Sequence, residues 1–164
     1  MSLYPLAPDN KWTYKSNNGS TWTNAVTGNP APGTFTMQNS LTPNPVTMKM
    51  EGNDYLTDAF EAGNFQVMLK EGLKAGDTWE IHFTANTINS ILVMTVKEAG
   101  MTKEVEGKSY ADVVFIEAES KMNMNGNVMA LNFFTQYYYA PGTGLILTTS
   151  SAGDSHSLVS AELH

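Results

Sequence analysis

The stretch Val114–Tyr139, VFIEAESKMNMNGNVMALNFFTQYYY, decides the fold. In its first half the even positions Val114, Ile116, Ala118, Met122 and Met124 are apolar, with Glu117, Glu119, Lys121 and Asn123 between them. In its second half the odd positions Met129, Leu131, Phe133, Tyr137 and Tyr139 carry the bulk. Alternation of this kind is the period of a strand with one buried face. Between the halves lies Asn125-Gly126, a pair that turns the chain sharply because both residues tolerate positive φ. A two-residue turn there sets Met122 opposite Met129, Ala118 opposite Phe133 and Val114 opposite Tyr137. The apolar faces then coincide, so pattern and turn agree on one register.

The same reading holds upstream. From Thr78 to Ala85 the odd positions Trp79, Ile81, Phe83 and Ala85 are apolar and the even ones polar. A turn within Asn86-Thr87-Ile88-Asn89 pairs Phe83 with Leu92, Ile81 with Met94 and Trp79 with Val96. Further turn signals stand at Asn17-Asn18-Gly19, Glu51-Gly52-Asn53-Asp54, Ala75-Gly76-Asp77, Pro141-Gly142 and Ala152-Gly153-Asp154. Strands punctuated in this way predict an antiparallel all-β protein, one domain over residues 1–164. Strands as long as Val114–Met124 coil strongly, which favours a curved sheet forming a barrel or half-barrel. A β-sandwich is the alternative. The Pro-rich piece Gly28–Pro45 reads as loop flanking one short strand, Thr34–Met37. Only Tyr55–Ala62 and Ser109–Val113 leave room for a helical turn.

Composition excludes several activities. The 164 residues carry 9 Lys, no Arg, 16 Asp and Glu, and no Cys, a formal charge of −7. Without Cys there is no disulfide, no thiolate metal site and no Cys nucleophile. A net negative chain lacks the clustered cations that bind phosphate backbones, so nucleic acid is not an expected partner. The charges are also unevenly spread. Ser16–Met48 and Met122–Gly153 hold none, and Lys49–Lys121 holds 20 of the 25. No apolar run approaches the ~20 residues of a membrane-spanning helix. The start Met1-Ser2-Leu3-Tyr4-Pro5 has neither the basic residues nor the apolar stretch of a signal peptide. It reads as vector-derived, which puts a native targeting segment outside this sequence.

No catalytic or metal constellation emerges, and no cofactor is expected. His82 falls on the polar side of its strand and His156 beside the last turn. Neither has a Ser or Asp at a recognisable spacing, and His164 is terminal. Asp54, Asp58 and Glu61 lie close together but lack the calcium-loop pattern. Glu117 and Glu119 share a strand face, which could set two carboxylates side by side as glycosidases need them, yet Lys121 continues that face as a charged exterior. Met48-Lys49-Met50 and Met122-Asn123-Met124 place thioethers on one face, a copper(I) chemistry, although Met equally fills apolar space and lines adaptable binding surfaces. Two binding surfaces remain. One is an apolar or lipid-binding concave face built from Phe83, Met94, Met122, Met129, Phe133 and Tyr137. The other is a sugar-stacking platform of Trp12, Tyr14 and Trp22. A third expectation is a structural domain with a filled core that docks on an envelope protein.

Four short motifs occur in order: Asn10-Lys11-Trp12-Thr13-Tyr14, Gly76-Asp77-Thr78-Trp79, Tyr110-Ala111-Asp112-Val113-Val114 and Tyr139-Ala140-Pro141-Gly142-Thr143-Gly144-Leu145-Ile146. The series resembles a broad group of bacterial secreted proteins and lipoproteins of unknown function. Some of that group are similar in architecture to lipoprotein-carrier half-barrels. The resemblance implies a curved all-β sheet, a periplasmic or cell-surface location and a lipid anchor through a Cys outside this sequence. It implies no catalytic residues.

Overall fold

The computed structural model describes residues 1–164 and contains no helix. Twelve strands run in chain order: β1 (Lys11–Ser16), β2 (Thr21–Ala31), β3 (Thr34–Asn39), β4 (Val46–Glu51), β5 (Asp54–Thr57), β6 (Gln66–Lys70), β7 (Thr78–Ala85), β8 (Ile88–Val105), β9 (Lys108–Met124), β10 (Asn127–Ala140), β11 (Gly144–Ser150) and β12 (Ser155–Glu162). They form one antiparallel sheet in the order β6-β5-β4-β3-β2-β1-β12-β11-β10-β9-β8-β7. The first strand therefore pairs with the last, Lys11 opposite Glu162 and Ser16 opposite His156. The sheet curls almost into a barrel, and its one seam lies mid-chain between β6 and β7. A single sheet excludes the sandwich.

Turn chemistry accounts for the long hairpins. Asn125 (φ 54) and Gly126 (φ 86) make the expected two-residue turn, and Met129 lies opposite Met122. The register then shifts at Leu131-Asn132, where Asn132 takes φ 54. Below this bulge Thr135 faces Ala118 and Tyr137 faces Ile116, instead of the pairs Ala118–Phe133 and Val114–Tyr137. Two residues were inserted, so the faces are kept. The β7–β8 hairpin also differs from expectation: it turns at Asn86 (φ 50) and Thr87 (φ 66), so Ile81 faces Leu92 and Trp79 faces Met94. The expected turn required positive φ at two β-branched residues, Thr87 and Ile88, whereas the observed one requires it at Thr87 alone beside Asn86, which tolerates it.

Other expectations are corrected. The segment Gly28–Ala31 belongs to β2 although Pro30 lies within it. Of the two segments with room for a helical turn, the first opens as β5 and Ser109–Val113 lies inside β9. The far halves of β8 and β9 bend at bulges near Glu98, Gly100 (φ 81) and Asp112 (φ 57). This bend sets Lys103 4.9 Å above the Tyr138 ring and Glu106 3.5 Å from Lys15.

The core fills one end of the barrel. Tyr4, from the segment before β1, lies edge-on to Trp12 at 5.1 Å and near Tyr139 at 6.1 Å. Gly144 lets the β11 backbone approach Trp12, whose Nε1 donates to Thr143 O at 2.6 Å. Burying aromatic rings of this size removes ~150–250 Å² each from water, gross contributions of about 4–6 kcal/mol per ring before entropy is counted. The same segment is fastened by Leu3 N donating to Glu71 Oε2 at 2.8 Å and Gly142 N donating to Ser2 O at 2.8 Å.

Candidate functional site

Above the aromatic base the barrel is not filled. A cavity of about 200 Å³ is lined by 14 residues, 12 of them hydrophobic. Met37, Met48, Ile81 and Met94 are its buried walls, from β3, β4, β7 and β8. Val46, Phe60, Met68 and Tyr137 keep some exposure. No lining residue is charged, and Asn24 and Thr57 are the polar ones besides the tyrosines. An engineered dry cavity of ~150 Å³ suffices to bind benzene, so this space suits an apolar ring or the end of a hydrocarbon chain. Four methionines in the wall make it adaptable in shape.

Tyr4, Tyr137 and Tyr139 are the tyrosines of the lining. Tyr4 and Tyr139 are only 5 % and 4 % exposed. Burial pushes the ionisation of Tyr4, Tyr137 and Tyr139 above the ordinary tyrosine range. Two other deep tyrosines use their hydroxyls internally: Tyr14 donates to Leu145 O at 2.8 Å, and Tyr55 donates to Glu71 while accepting from Tyr4 N at 3.2 Å.

The seam borders the cavity through Met68 and Ile81. Backbone ladder bonds are absent there, and side chains replace them. Trp79 Nε1 donates to Val67 O at 2.8 Å, and His82 N to Gln66 Oε1 at 3.0 Å. Asn64 Nδ2 donates to His82 O at 3.0 Å, and Thr84 N to Glu61 Oε1 at 3.0 Å. The Thr84 amide and the Asn64 side chain hold the Glu61 carboxyl below its ordinary range. Phe60 closes over this region, 5.4 Å from Phe83.

Of the six residues expected on the apolar face, Met94 and Tyr137 line the cavity. Phe83 packs on Phe60 beside it. Met122, Met129 and Phe133 lie beyond the cavity on the projecting β9–β10 hairpin, with Met129 49 % exposed. Sequence reasoning passed over Met37 and Met68 as wall residues, although each sits in a strand, and raised Met48 only as half of a Met-x-Met pair. It also passed over Tyr4, which no periodic pattern marks.

The other candidates resolve as follows. Trp12 is fully buried and Tyr14 nearly so, so these rings offer no face to a sugar. Trp22 stacks on Tyr14 at 4.6 Å and donates to His156 Nδ1 at 3.2 Å, a nitrogen also 2.9 Å from Ser16 Oγ. Glu117 is tied to Gln136 at 2.9 Å and to Lys97 at 3.7 Å on the outer face, away from the cavity. His82 pairs with Glu80 at 2.9 Å at the surface. Asp58 caps the backbone of Thr47 and Gly63, and no group of three His, Asp or Glu side chains converges for a metal.

No protein-family model and no curated protein matches the chain. Solved structures do match in fold. An exported-protein candidate with a YmcC-like fold from Bacteroides fragilis aligns with TM-score 0.58 at 8 % identity, over 97 % of this chain and 98 % of that one. A lipoprotein candidate from Parabacteroides distasonis aligns with TM-score 0.57 at 10 % identity, over 99 % of both chains. The hypothetical lipoprotein YmcC from Escherichia coli aligns with TM-score 0.49 at 11 % identity, over 94 % of this chain and 85 % of that one. The first two matches establish that the chain shares their fold over nearly its whole length, and neither protein is described as an enzyme.

Proposed function

We propose that this protein is an extracytoplasmic binding protein, without catalytic activity, that holds an apolar or lipid-like chain in the barrel cavity. The carrying observation is the uncharged, methionine-rich cavity of about 200 Å³. The exported and lipoprotein descriptions of the two fold neighbours support the location outside the cytoplasm. The experiment is titration with N-phenyl-1-naphthylamine, a neutral dye that brightens in apolar surroundings. Saturable binding is expected, weakened at least tenfold in Ala59→Trp, which fills the cavity from the loop before β6. Equal binding by a folded Ala59→Trp variant would move the dye to another surface and remove the basis of the proposal.

A second reading concerns a protein partner. Residues Asn127–Phe133 of β10 pair with β9 only, because β11 begins its pairing at Thr135. This free edge carries Val128 (55 % exposed), Met129 and Leu131 and no charge. Natural edges are usually blunted by charge or proline, and backbone groups left open in this way are satisfied by another extended polypeptide. An envelope protein supplying such a strand should bind wild type and not Leu131→Pro. Equal binding of a folded variant would exclude the edge.

A further inference from the structure

Three tyrosines of the cavity lining carry hydroxyls that the fold itself does not use. Tyr4, Tyr137 and Tyr139 line the space, and their hydroxyls make no hydrogen bond within the protein. None is sealed away from solvent-sized space, since no buried side-chain oxygen or nitrogen lacks a partner. Each hydroxyl therefore keeps some accessible surface, and all three residues line the cavity. A hydroxyl in apolar surroundings is costly until it finds an acceptor. Few acceptors remain in the wall: Thr57 Oγ1 already donates to Thr47 O at 3.0 Å, Asn24 is the one other polar side chain, and the rest is hydrocarbon and thioether.

The wall also lacks any Lys or His, and the chain has no Arg. A carboxylate or phosphate carried into this space would be buried without a counter-charge, which is strongly disfavoured. A neutral acceptor meets no such penalty. We infer that the ligand is a neutral amphiphile, an acyl ester or similar carbonyl compound, whose carbonyl oxygen accepts hydrogen bonds from the hydroxyls of Tyr4, Tyr137 and Tyr139. The hydrocarbon part lies along Met37, Met48, Met68 and Met94. This assignment rests on the apolar-ligand reading above and adds the polarity of the ligand and the residues that select it.

The test is displacement of N-phenyl-1-naphthylamine at pH 8 by methyl octanoate and by octanoate, which share a chain and differ in charge. Methyl octanoate is expected to bind at least tenfold more tightly. In Tyr137→Phe, and separately in Tyr139→Phe, its affinity is expected to fall roughly three- to tenfold, the worth of one net hydrogen bond. The dye's own affinity should stay within about twofold of wild type. Tyr137→Phe removes an oxygen from a partly exposed side chain, so it remains informative if a deeper variant fails to fold. Equal competition by octanoate, or unchanged ester affinity in both variants, would overturn the assignment and leave the cavity reading standing. Failure of the dye and of both octanoyl compounds to bind wild type would overturn the cavity reading and this assignment with it.

Discussion

Replacing Trp79 by Phe isolates the fastening of the barrel seam. The indole Nε1 donates to Val67 O at 2.8 Å and so joins β7 to β6 where no backbone ladder does. Phe keeps a ring against the core but loses the donor. Loss of one partly buried hydrogen bond costs about 1 kcal/mol. The smaller ring removes on the order of 40 Å² of buried apolar surface, about 1 kcal/mol more at roughly 25 cal/mol per Å². Lys70, whose Nζ lies 5.7 Å from the ring centroid, adds little at an exposed site. The total of about 2 kcal/mol lowers Tm by roughly 4–8 °C for a chain of this length. Amide exchange locates the loss. The His82 N–H donates to Gln66 of β6 and the Thr84 N–H to Glu61 in the loop before it, and their protection is expected to fall about tenfold or more. Amides in β1 and β12 should change only by the global loss. An equal change everywhere would refute the reasoning, because Trp79 would then be an ordinary core residue and the seam would not open separately.

Two further outcomes follow from ionisation. Glu61 holds its charge in the folded state to a lower pH than the ~4.3 of a free glutamate. Its contribution is therefore complete above that value and is lost as pH falls through the depressed folded value. Exchange at the Thr84 amide, corrected for intrinsic rate, should keep its protection above pH ~4.3 and lose it as pH falls below that value, and Glu61→Gln should remove the pH dependence. An identical acid response in that variant would exclude Glu61. All seven tyrosines are raised, chiefly by burial. Raised groups favour the folded state below their unfolded value, and this advantage fades as pH rises past ~10. Ultraviolet titration should show little tyrosinate at pH 10 and then a cooperative rise accompanying unfolding. Independent ionisation of several tyrosines near pH 10 in the native protein would contradict the burial described here.

What was legible in the chain was local. Alternation in Val114–Tyr139 and the Asn125-Gly126 pair defined the β9–β10 hairpin, because a strand's face and a tight turn are both set within a few residues. The bulge at Leu131-Asn132 was not legible: Asn at positive φ is permitted by the sequence but not demanded. Trp12 was placed correctly on a strand, yet its burial depends on Thr143 and Tyr4, contacts that no periodicity announces. The pairing of β1 with β12 joins residues some 150 positions apart and leaves only generic strand patterns behind. The seam was invisible for the opposite reason, since Asn64 and Gln66 read as ordinary loop and strand-end polar residues. Met94 and Tyr137 reached the cavity because their alternation points inward. Met122 and Met129 share that face, but the hairpin carries them past the end of the barrel, and alternation reports side and not height.

The central claim is that the cavity takes a ligand. Native mass spectrometry of gently purified protein, repeated after denaturation, tests it most directly. The expected result is an added mass of a few hundred daltons that vanishes on denaturation and is absent from Ala59→Trp. A clean protein mass, together with no uptake of methyl octanoate added in excess, would contradict the account and leave the space above Tyr4 and Tyr139 as a packing void.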